Sequence, residues 1–362
     1  MNSFGTSPLR LALREPRLLI GASPSQWDEF VRQARAANLL PRIATSLEEL
    51  GLLHEVPAAP RAHLEAARTL ARAQADAVRR EVGHVERALA ATGVPFILLK
   101  GAAYLLAGLR AAQGRMFSDI DILVPGHALP EVEAALMLSG WASANMTPYD
   151  QRYYRRWMHE LPPLKHINRR TLLDVHHAIL PTTARLKPDS AKLLAASRPV
   201  AGKPQLRVLA PRDMVLHSAT HLFCNEDVGN SLRDLVDLDS LVREFAQESG
   251  FWPGLTVRAV ELDLTRPLYY ALRYLVPILD TPVPAQVLRE AEIGRPSAML
   301  RGLMDALFLR TLQPERAGAT DGLAALARGA VYVRAHWLRM PPHLLACHLA
   351  IKAVTREQTT PL

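Results

Sequence analysis

The stretch Val94-Pro-Phe-Ile-Leu-Leu-Lys100-Gly101 is followed, after a short helix-like segment, by Arg115-Met-Phe-Ser-Asp119-Ile-Asp121-Ile-Leu-Val124. Its apolar runs predict a strand, a turn, a helix, a loop and a second strand, in that order. Because side chains alternate between the two faces of a strand, Asp119 and Asp121 point to the same side. The isoleucines between and after them point the other way, into a core. The second strand therefore carries a pair of carboxylates on one face.

This carboxylate pair predicts a metal site next to a phosphate-binding turn. Two carboxylates in an apolar strand repel each other and lose hydration, and a divalent metal ion is the simplest group to offset that cost. Aspartates near a strand end also serve as turn residues or helix caps. The context favours the metal, because Lys100 and Gly101 lie where a strand meets a helix. Free N–H groups at a helix N-terminus suit phosphate, and a glycine lets the backbone approach a ligand.

The pattern of Lys100-Gly101, a helix, and Arg115-x-x-Ser118-Asp119-Ile-Asp121 resembles the polymerase-β-like nucleotidyltransferase superfamily. More narrowly, it is similar to a bacterial group of uncharacterised nucleotidyltransferases. The resemblance implies a nucleotide and two Mg²⁺ ions, with Mn²⁺ as a substitute, held by three carboxylates. Two of the three would be Asp119 and Asp121, and the third would come from a later strand.

Asp174 is the candidate for the third carboxylate. It lies in Thr171-Leu-Leu-Asp174-Val-His176-His177, a short apolar run behind a predicted hairpin turn at residues 167–170. An aspartate inside such a strand needs a partner. In the narrower group, a strand that reads Asp-apolar-His recurs at this place. The chain departs from the wider superfamily at the turn, where Lys100 replaces a small residue and Ala102 replaces serine, although Lys-Gly is usual in the narrower group.

The resemblance implies a metal-dependent transfer of an NMP group from an NTP, ATP by default, to an acceptor hydroxyl. It assigns catalysis and metal binding to Asp119, Asp121 and Asp174, and nucleotide binding to Lys100, Gly101, Arg115 and Ser118. Arg115 would otherwise pair with Asp119 as a structural prop.

Three functions remain open at this point. The first is transfer to a small molecule, a sugar or a peptide product. The second is the same chemistry on RNA, for example a tRNA end. The third is a non-catalytic module of the same fold that binds nucleotide or a protein partner. Retention of all three carboxylates argues against the third, because fold stability alone does not call for an acidic cluster.

The composition indicates a globular protein of the cytoplasm. The 362 residues are 49% apolar, which is enough for a sizeable core. Two distant cysteines provide no disulfide framework, and neither a membrane span nor a signal peptide is expected. The net charge of +8 favours anionic partners such as nucleotides or RNA, although a genome that favours arginine codons explains it equally well.

The predicted fold class is α+β, with a small mixed-sheet nucleotidyltransferase core between helical regions. We expect an N-terminal helical region at residues 1–91, the α/β core at 92–200 and a C-terminal helical domain at 201–362. The clearest helix covers residues 60–91, where apolar residues recur at spacings of three and four. The arginines beside this stripe predict a solvated face paired with acids, or less readily a basic face for RNA.

Three further patterns allow two interpretations each. Basic and aromatic residues interleave at 151–170, which is typical both of a surface that binds RNA and of a hairpin packed on the core. His217 and His221 lie four apart on a predicted helix and would bind zinc or, more often, belong to the core. Asp234 and Asp237 would orient arginines or contact the nucleotide, while a solvated helix face is the simpler prediction.

Overall fold

The structure is a computed structural model and describes residues 7–143, 148–225, 229–314, 322–341 and 343–344. Within these ranges the chain forms fifteen α-helices and a seven-stranded mixed sheet. The N-terminal helices are α1 (Pro8–Arg14), α2 (Pro24–Ala36), α3 (Leu40–Glu49) and α4 (Ala58–Leu89). The sheet region contains β1 (Phe96–Leu99), α5 (Lys100–Leu106), β2 (Ile120–Leu123), α6 (Leu129–Leu138), β3 (Trp141–Ser143), α7 (Pro148–Trp157), β4 (Leu164–His166), β5 (Leu172–His176), α8 (Ser190–Ala196), β6 (Arg198–Val200) and β7 (Lys203–Val208). The C-terminal helices are α9 (Pro211–Cys224), α10 (Ser231–Phe245), α11 (Phe251–Glu261), α12 (Thr265–Leu279), α13 (Ala285–Ala291), α14 (Ala298–Thr311) and α15 (Gly322–Arg339). The predicted α+β class is confirmed.

The strands of the sheet follow the order β3-β4-β5-β2-β1-β7-β6. β1 and β2 pair in antiparallel fashion, whereas β2 with β5 and β1 with β7 are parallel. The sheet therefore continues beyond residue 200, where the α/β core was expected to end. In the register of β2 and β5, Asp121 lies directly opposite Asp174.

The two central strands are buried along their whole length. Every residue of β1 and of β2 is buried, including Asp121, which is 2% exposed. Helices cover the sheet, so these short strands read as continuous apolar runs. The one carboxylate inside β2 is therefore placed in a largely dry environment.

Helix α4 supports this sheet, as its apolar spacing predicts. Val82, Val85 and Leu89 are buried, and the helix contacts α5 and α6. Its arginine face pairs with acids, for example Arg79 with Asp76 at 3.2 Å. The predicted solvated face is thus what the structure shows.

The segment 151–170 is only partly a hairpin. Its first half is helix α7, in which the rings of Tyr153 and Trp157 meet edge to face. In a helix these two residues are neighbours on successive turns, whereas in a strand they would share a face but lie too far apart for their rings to touch. The hairpin begins later, because β4 and β5 pair around the predicted turn.

Helix α10 corrects the prediction of a solvated acidic face. Asp234 and Asp237 are 6% and 2% exposed, because α10 packs against α9 and α12.

Among the residues that the structure describes, no helix is both long and apolar enough to cross a membrane.

Candidate active site

Three carboxylates converge at the centre of the sheet. Asp119 immediately precedes β2, Asp121 lies within β2, and Asp174 lies opposite it on β5. Each offers an oxygen atom, and these atoms lie within 4.8 Å of one another. The parallel register of two adjacent strands thus brings together residues that are far apart in the chain.

The neighbours of Asp121 leave one of its two oxygens open. The Lys100 ammonium donates to Asp121 Oδ1 at 2.7 Å, and His176 Nε2 lies 3.0 Å from the same atom. Across the described ranges, Asp121 Oδ2 and the Asp174 carboxylate accept no hydrogen bond. Ser118 Oγ donates to Asp119 Oδ1 at 2.7 Å. The cluster therefore has more acceptor oxygens than the surrounding residues satisfy.

The pKa values of the two opposed carboxyl groups, Asp121 and Asp174, shift in opposite directions. Burial works against ionisation of Asp121, but Lys100 and His176 outweigh it and hold the pKa of Asp121 well below its ordinary value. Burial, together with the charges of Asp121 and Glu160, raises the pKa of Asp174 to about 7. Like charges side by side cannot both ionise freely, so one carboxyl group takes the charge and the other resists it.

The cluster fits a hard divalent cation. Oxygen ligands at this spacing suit Mg²⁺ or Mn²⁺, and among the described residues Lys100 is the only lysine or arginine that pairs with the three aspartates. Bound metal would restore the charge balance that one lysine does not supply. The open Oδ2 atom of Asp121 and the unpaired Asp174 carboxylate are the oxygens that such an ion would bind.

The three aspartates face a polar cavity of about 240 Å³. Its other wall comes from α9 and α10, which contribute His217, His221 and the Arg233–Asp234 ion pair. Asp237 also lines it and accepts from Arg42 at 2.6 Å and from Arg115 at 2.7 Å. The cavity thus lies between the sheet on one side and the C-terminal helices α9 and α10 on the other.

Arg115 and Gly101 are arranged differently from expectation. Arg115 pairs with Asp237 rather than with Asp119. A Cβ atom at Gly101 would collide with the Arg115 guanidinium, so the close approach that this glycine permits is made by Arg115 in this structure. Lys100 takes a left-handed conformation with φ of 48° and directs its ammonium to Asp121.

His217 and His221 line the cavity without forming a metal group with Cys224. Burial, aided by the charge of Lys100, lowers the pKa of His217 to about 3, and the pKa of His221 also falls well below its ordinary value. Both imidazoles are therefore neutral. The groups of described residues that are close enough to share an ion do not include either of them. His217 is buried, as the core interpretation predicts, whereas His221 is only partly buried and lies 3.8 Å from Asp234.

Sequence reasoning missed three side chains of this site. His176 entered only through the Asp-apolar-His strand of the resemblance, and its contact with Asp121 was not predicted. His159 and Glu160 also line the cavity, on the short connection between α7 and β4. The available signal was the adjacent His-Glu pair just before a run of prolines, which is an unusual place for two polar side chains that are largely buried.

Comparison with known proteins places the chain among the nucleotidyltransferases. A family model described as "Uncharacterised nucleotidyltransferase" matches residues 23–280, which is more than half of the chain. The chain belongs to this family. The matched range includes the whole sheet, the three aspartates and both helices of the cavity wall. No curated protein and no solved structure matches the chain significantly. The bacterial origin and the wider polymerase-β-like superfamily stay predictions.

Proposed function

We propose that the protein transfers an NMP group from an NTP to an acceptor hydroxyl with the help of divalent metal. The observation that carries the proposal is the convergence of Asp119, Asp121 and Asp174 with fewer cations than carboxylates around them. Membership of a nucleotidyltransferase family supports the same reaction class.

Asp119, Asp121 and Asp174 would hold two Mg²⁺ ions, or Mn²⁺ in their place. When bound, the metal would neutralise phosphate charge and acidify the acceptor hydroxyl. In the reaction, the acceptor oxygen forms a bond to the α-phosphorus while the bond to the departing pyrophosphate breaks. Asp174 is suited to take the hydroxyl proton, because the pKa of about 7 that it has in the metal-free site matches a general base. As a metal ligand it would instead be ionised.

Nucleotide binding falls to the residues on the near side of the cavity. Lys100 remains charged, because Asp121 outweighs burial and raises the pKa of Lys100. Its flexible stem would let the ammonium serve the triphosphate. Arg115, Ser118 and the backbone at Gly101 are the further candidates, and ATP is the default nucleotide.

A small molecule, a sugar or a peptide product is the acceptor class that we propose. The cavity is walled by α9 and α10, which limits the size of what reaches the aspartates. The basic segment 151–170 gives RNA less support, since Arg155 pairs with Glu133 and Arg169 pairs with Glu81. The proposal places the protein in the cytoplasm, and the buried free thiol of Cys224 is compatible with that compartment.

Calorimetry with the four NTPs tests the proposal directly. We expect Mg²⁺-dependent binding of at least one NTP to the wild type, with no binding to the Asp119→Ala/Asp121→Ala variant. Asp28→Ala is the matched control, because the Asp28 side chain is exposed and forms an ion pair with Arg32 on the next turn of α2. A folded wild-type protein that binds no NTP would overturn the proposal in favour of a non-catalytic module.

A second assay identifies the acceptor class. With NTP labelled at the α-phosphate, transfer to small hydroxyl compounds supports the proposed acceptor. Labelling of RNA instead, with binding that weakens steeply as salt increases, would replace it with the RNA alternative.

A further inference from the structure

A second group of potential metal ligands lies behind Asp121. His159, Glu160 and His176 each offer one ligand atom, and these atoms lie within 4.8 Å of one another. The backbone holds them firmly in place. Residue Glu160 bridges to His176 in antiparallel fashion, and the His177 amide donates to the His159 carbonyl at 2.8 Å. The three side chains are therefore set by strand β5 and the segment that runs beside it.

The hydrogen bonds of His176 define which of its nitrogens is available. Its Nε2 atom faces Asp121 Oδ1 at 3.0 Å, and since this oxygen is a carboxylate acceptor, Nε2 carries the proton. Burial opposes a second proton on the ring, but the hydrogen bond to Asp121 and the charge of Glu160 outweigh it and raise the pKa of His176. While the ring is neutral, its lone pair lies on Nδ1. That atom lies 3.3 Å from Glu160 Oε2 but makes no hydrogen bond of acceptable geometry in the structure. In the neutral ring, Nδ1 and Glu160 Oε2 are therefore two acceptors that face each other, and either a metal ion or a second proton would relieve this contact.

His159 shows the same unsatisfied state. Its side chain is 8% exposed, and its Nδ1 atom is buried without a hydrogen-bond partner. The His159 and His176 rings lie 5.2 Å apart between centroids. A buried polar atom left unpaired is unfavourable, because it has given up its hydrogen bonds to water and gained none in return. Two such imidazole nitrogens beside one carboxylate are therefore a costly arrangement unless a cation joins them.

We propose that His159, Glu160 and His176 bind a transition metal ion of the Zn²⁺ type, at a site distinct from the three aspartates. Two imidazoles and one carboxylate form a donor set that Zn²⁺ prefers and Mg²⁺ does not. The spacing also suits it, since two ligands of a tetrahedral ion with bonds of about 2.0–2.1 Å lie about 3.3 Å apart. The Nδ1–Oε2 separation has this value.

Such an ion would position the catalytic aspartate from behind. Metal on His176 Nδ1 fixes the other ring nitrogen as a donor, and a metal-bound histidine usually donates that proton to a carboxylate. Here the carboxylate is Asp121, which in turn keeps Oδ2 directed away from His176. The proposal does not depend on nucleotide transfer, because it rests on three side chains and their unsatisfied atoms. The competing arrangement is a doubly protonated His176 that bridges Asp121 and Glu160, with no metal present.

Co²⁺ is the probe, because its visible absorption reports nitrogen ligation and Zn²⁺ displaces it. We expect metal-stripped protein in excess Mg²⁺ to take up one equivalent of Co²⁺ with intense visible bands that Zn²⁺ abolishes. His159→Ala and Glu160→Gln should each weaken Co²⁺ binding by at least about tenfold, the low end of what even indirect changes at metal sites cost. Glu160→Gln keeps the side-chain shape, so it remains informative if the alanine variant fails to fold.

Two controls separate this site from the aspartates. His127→Ala removes an exposed imidazole from the turn after β2 and should leave the Co²⁺ bands unchanged. Asp174→Asn should abolish Mg²⁺-dependent nucleotide binding while the Co²⁺ bands persist. No Co²⁺ uptake by the wild type would overturn the proposal, and so would uptake that survives in both His159→Ala and Glu160→Gln. Neither failure would affect the calorimetric test with NTPs.

Discussion

Asp121 and Asp237 line the same cavity from different walls, and each is only 2% exposed. Their partners differ. Each oxygen of Asp237 accepts from its own arginine, whereas both donors to Asp121 reach the same oxygen. Equal burial thus comes with full compensation in one case and partial compensation in the other. A buried acid whose two oxygens are both matched by arginines stabilises the fold, whereas the open oxygen of Asp121 is suited to bind a further cation.

The two acids are also linked through the loop before β2. Arg115 lies in this loop, a few residues ahead of Asp119, and it bonds Asp237 of α10. Arg42, which bonds the other oxygen, comes from α3. Asp237 therefore connects an N-terminal helix, the loop before β2 and the C-terminal helices. Four substitutions should separate the structural role of Asp237 from the proposed ligand-binding role of the three aspartates.

Removing the compensated acid should have the largest effect on stability. Asp237→Ala leaves the buried guanidinium groups of Arg42 and Arg115 without their shared carboxylate, which costs about 3–5 kcal/mol. Urea unfolding would measure this as a lower free energy of unfolding. The control Asp28→Ala breaks an exposed pair and should cost less than about 1 kcal/mol. A loss of similar size in both variants would show that water solvates the two arginines, and would contradict the stabilising role of Asp237.

Removing an acid of the triad should cost ligand binding rather than stability. Asp119→Asn keeps the side-chain shape and the contact with Ser118 but removes a metal ligand. We expect Mg²⁺-NTP binding to weaken about 100-fold, or about 2.7 kcal/mol. The free energy of unfolding in EDTA should change by less than about 1 kcal/mol, because Asp119 is only half-buried. An unchanged affinity would remove Asp119 from the site.

The pH dependence of stability should expose the charge conflict at Asp174. Its folded pKa of about 7 lies above the ordinary value of 3.8, so the folded state keeps a proton that the unfolded state has lost. In metal-free protein, stability is therefore fully present below about pH 4 and falls as the pH rises through 7. Asp174→Asn abolishes this fall. We expect the variant to exceed the wild type by up to about 4 kcal/mol at pH 8, and to match it at pH 4.

Denaturation curves in EDTA across this pH range would measure the difference. Added Mg²⁺ should reverse the order at pH 8, because the wild type gains a ligand-bound state that the variant lacks. A variant that is less stable than the wild type at pH 8 without metal would show that Asp174 has a stabilising partner after all.

Much of the triad was predictable from the sequence, because it depends on local geometry. The spacing of Asp119 and Asp121 follows from the two-residue repeat of a strand. An isolated Asp174 in an apolar run indicates a second buried carboxylate. Even the helix α4 follows from its apolar stripe. In each case the signal lies within a few residues of the feature that it predicts.

The compensating charges were not predictable, because they come from distant parts of the chain. Arg42 and Asp237 are 195 residues apart, and no local pattern reports their contact. For the same reason Asp237 resembled a surface residue on an amphipathic helix. The segment of α7 was misjudged because its aromatic and basic residues satisfy both strand and helix spacing, and tertiary packing decides between them. His159 and Glu160 gain meaning only through their position beside β5.

Substitution of Lys100 should have the smallest effect on NTP binding, and it tests most directly whether Asp121 is available to a metal ion. Lys100→Met removes the ammonium while it keeps an unbranched stem in the cavity. We expect the NTP to bind about tenfold more weakly, which is about 1.4 kcal/mol. The reason is that the triphosphate loses its contact with the positive charge of Lys100. Mg²⁺ alone should bind more tightly, since Asp121 no longer shares its charge with a lysine. Calorimetry of each ligand separates the two effects, with Lys203→Met as control, because Lys203 pairs with Glu86 on the far side of the sheet from β5. If NTP binding does not change, Lys100 serves Asp121 alone and takes no part in holding the nucleotide.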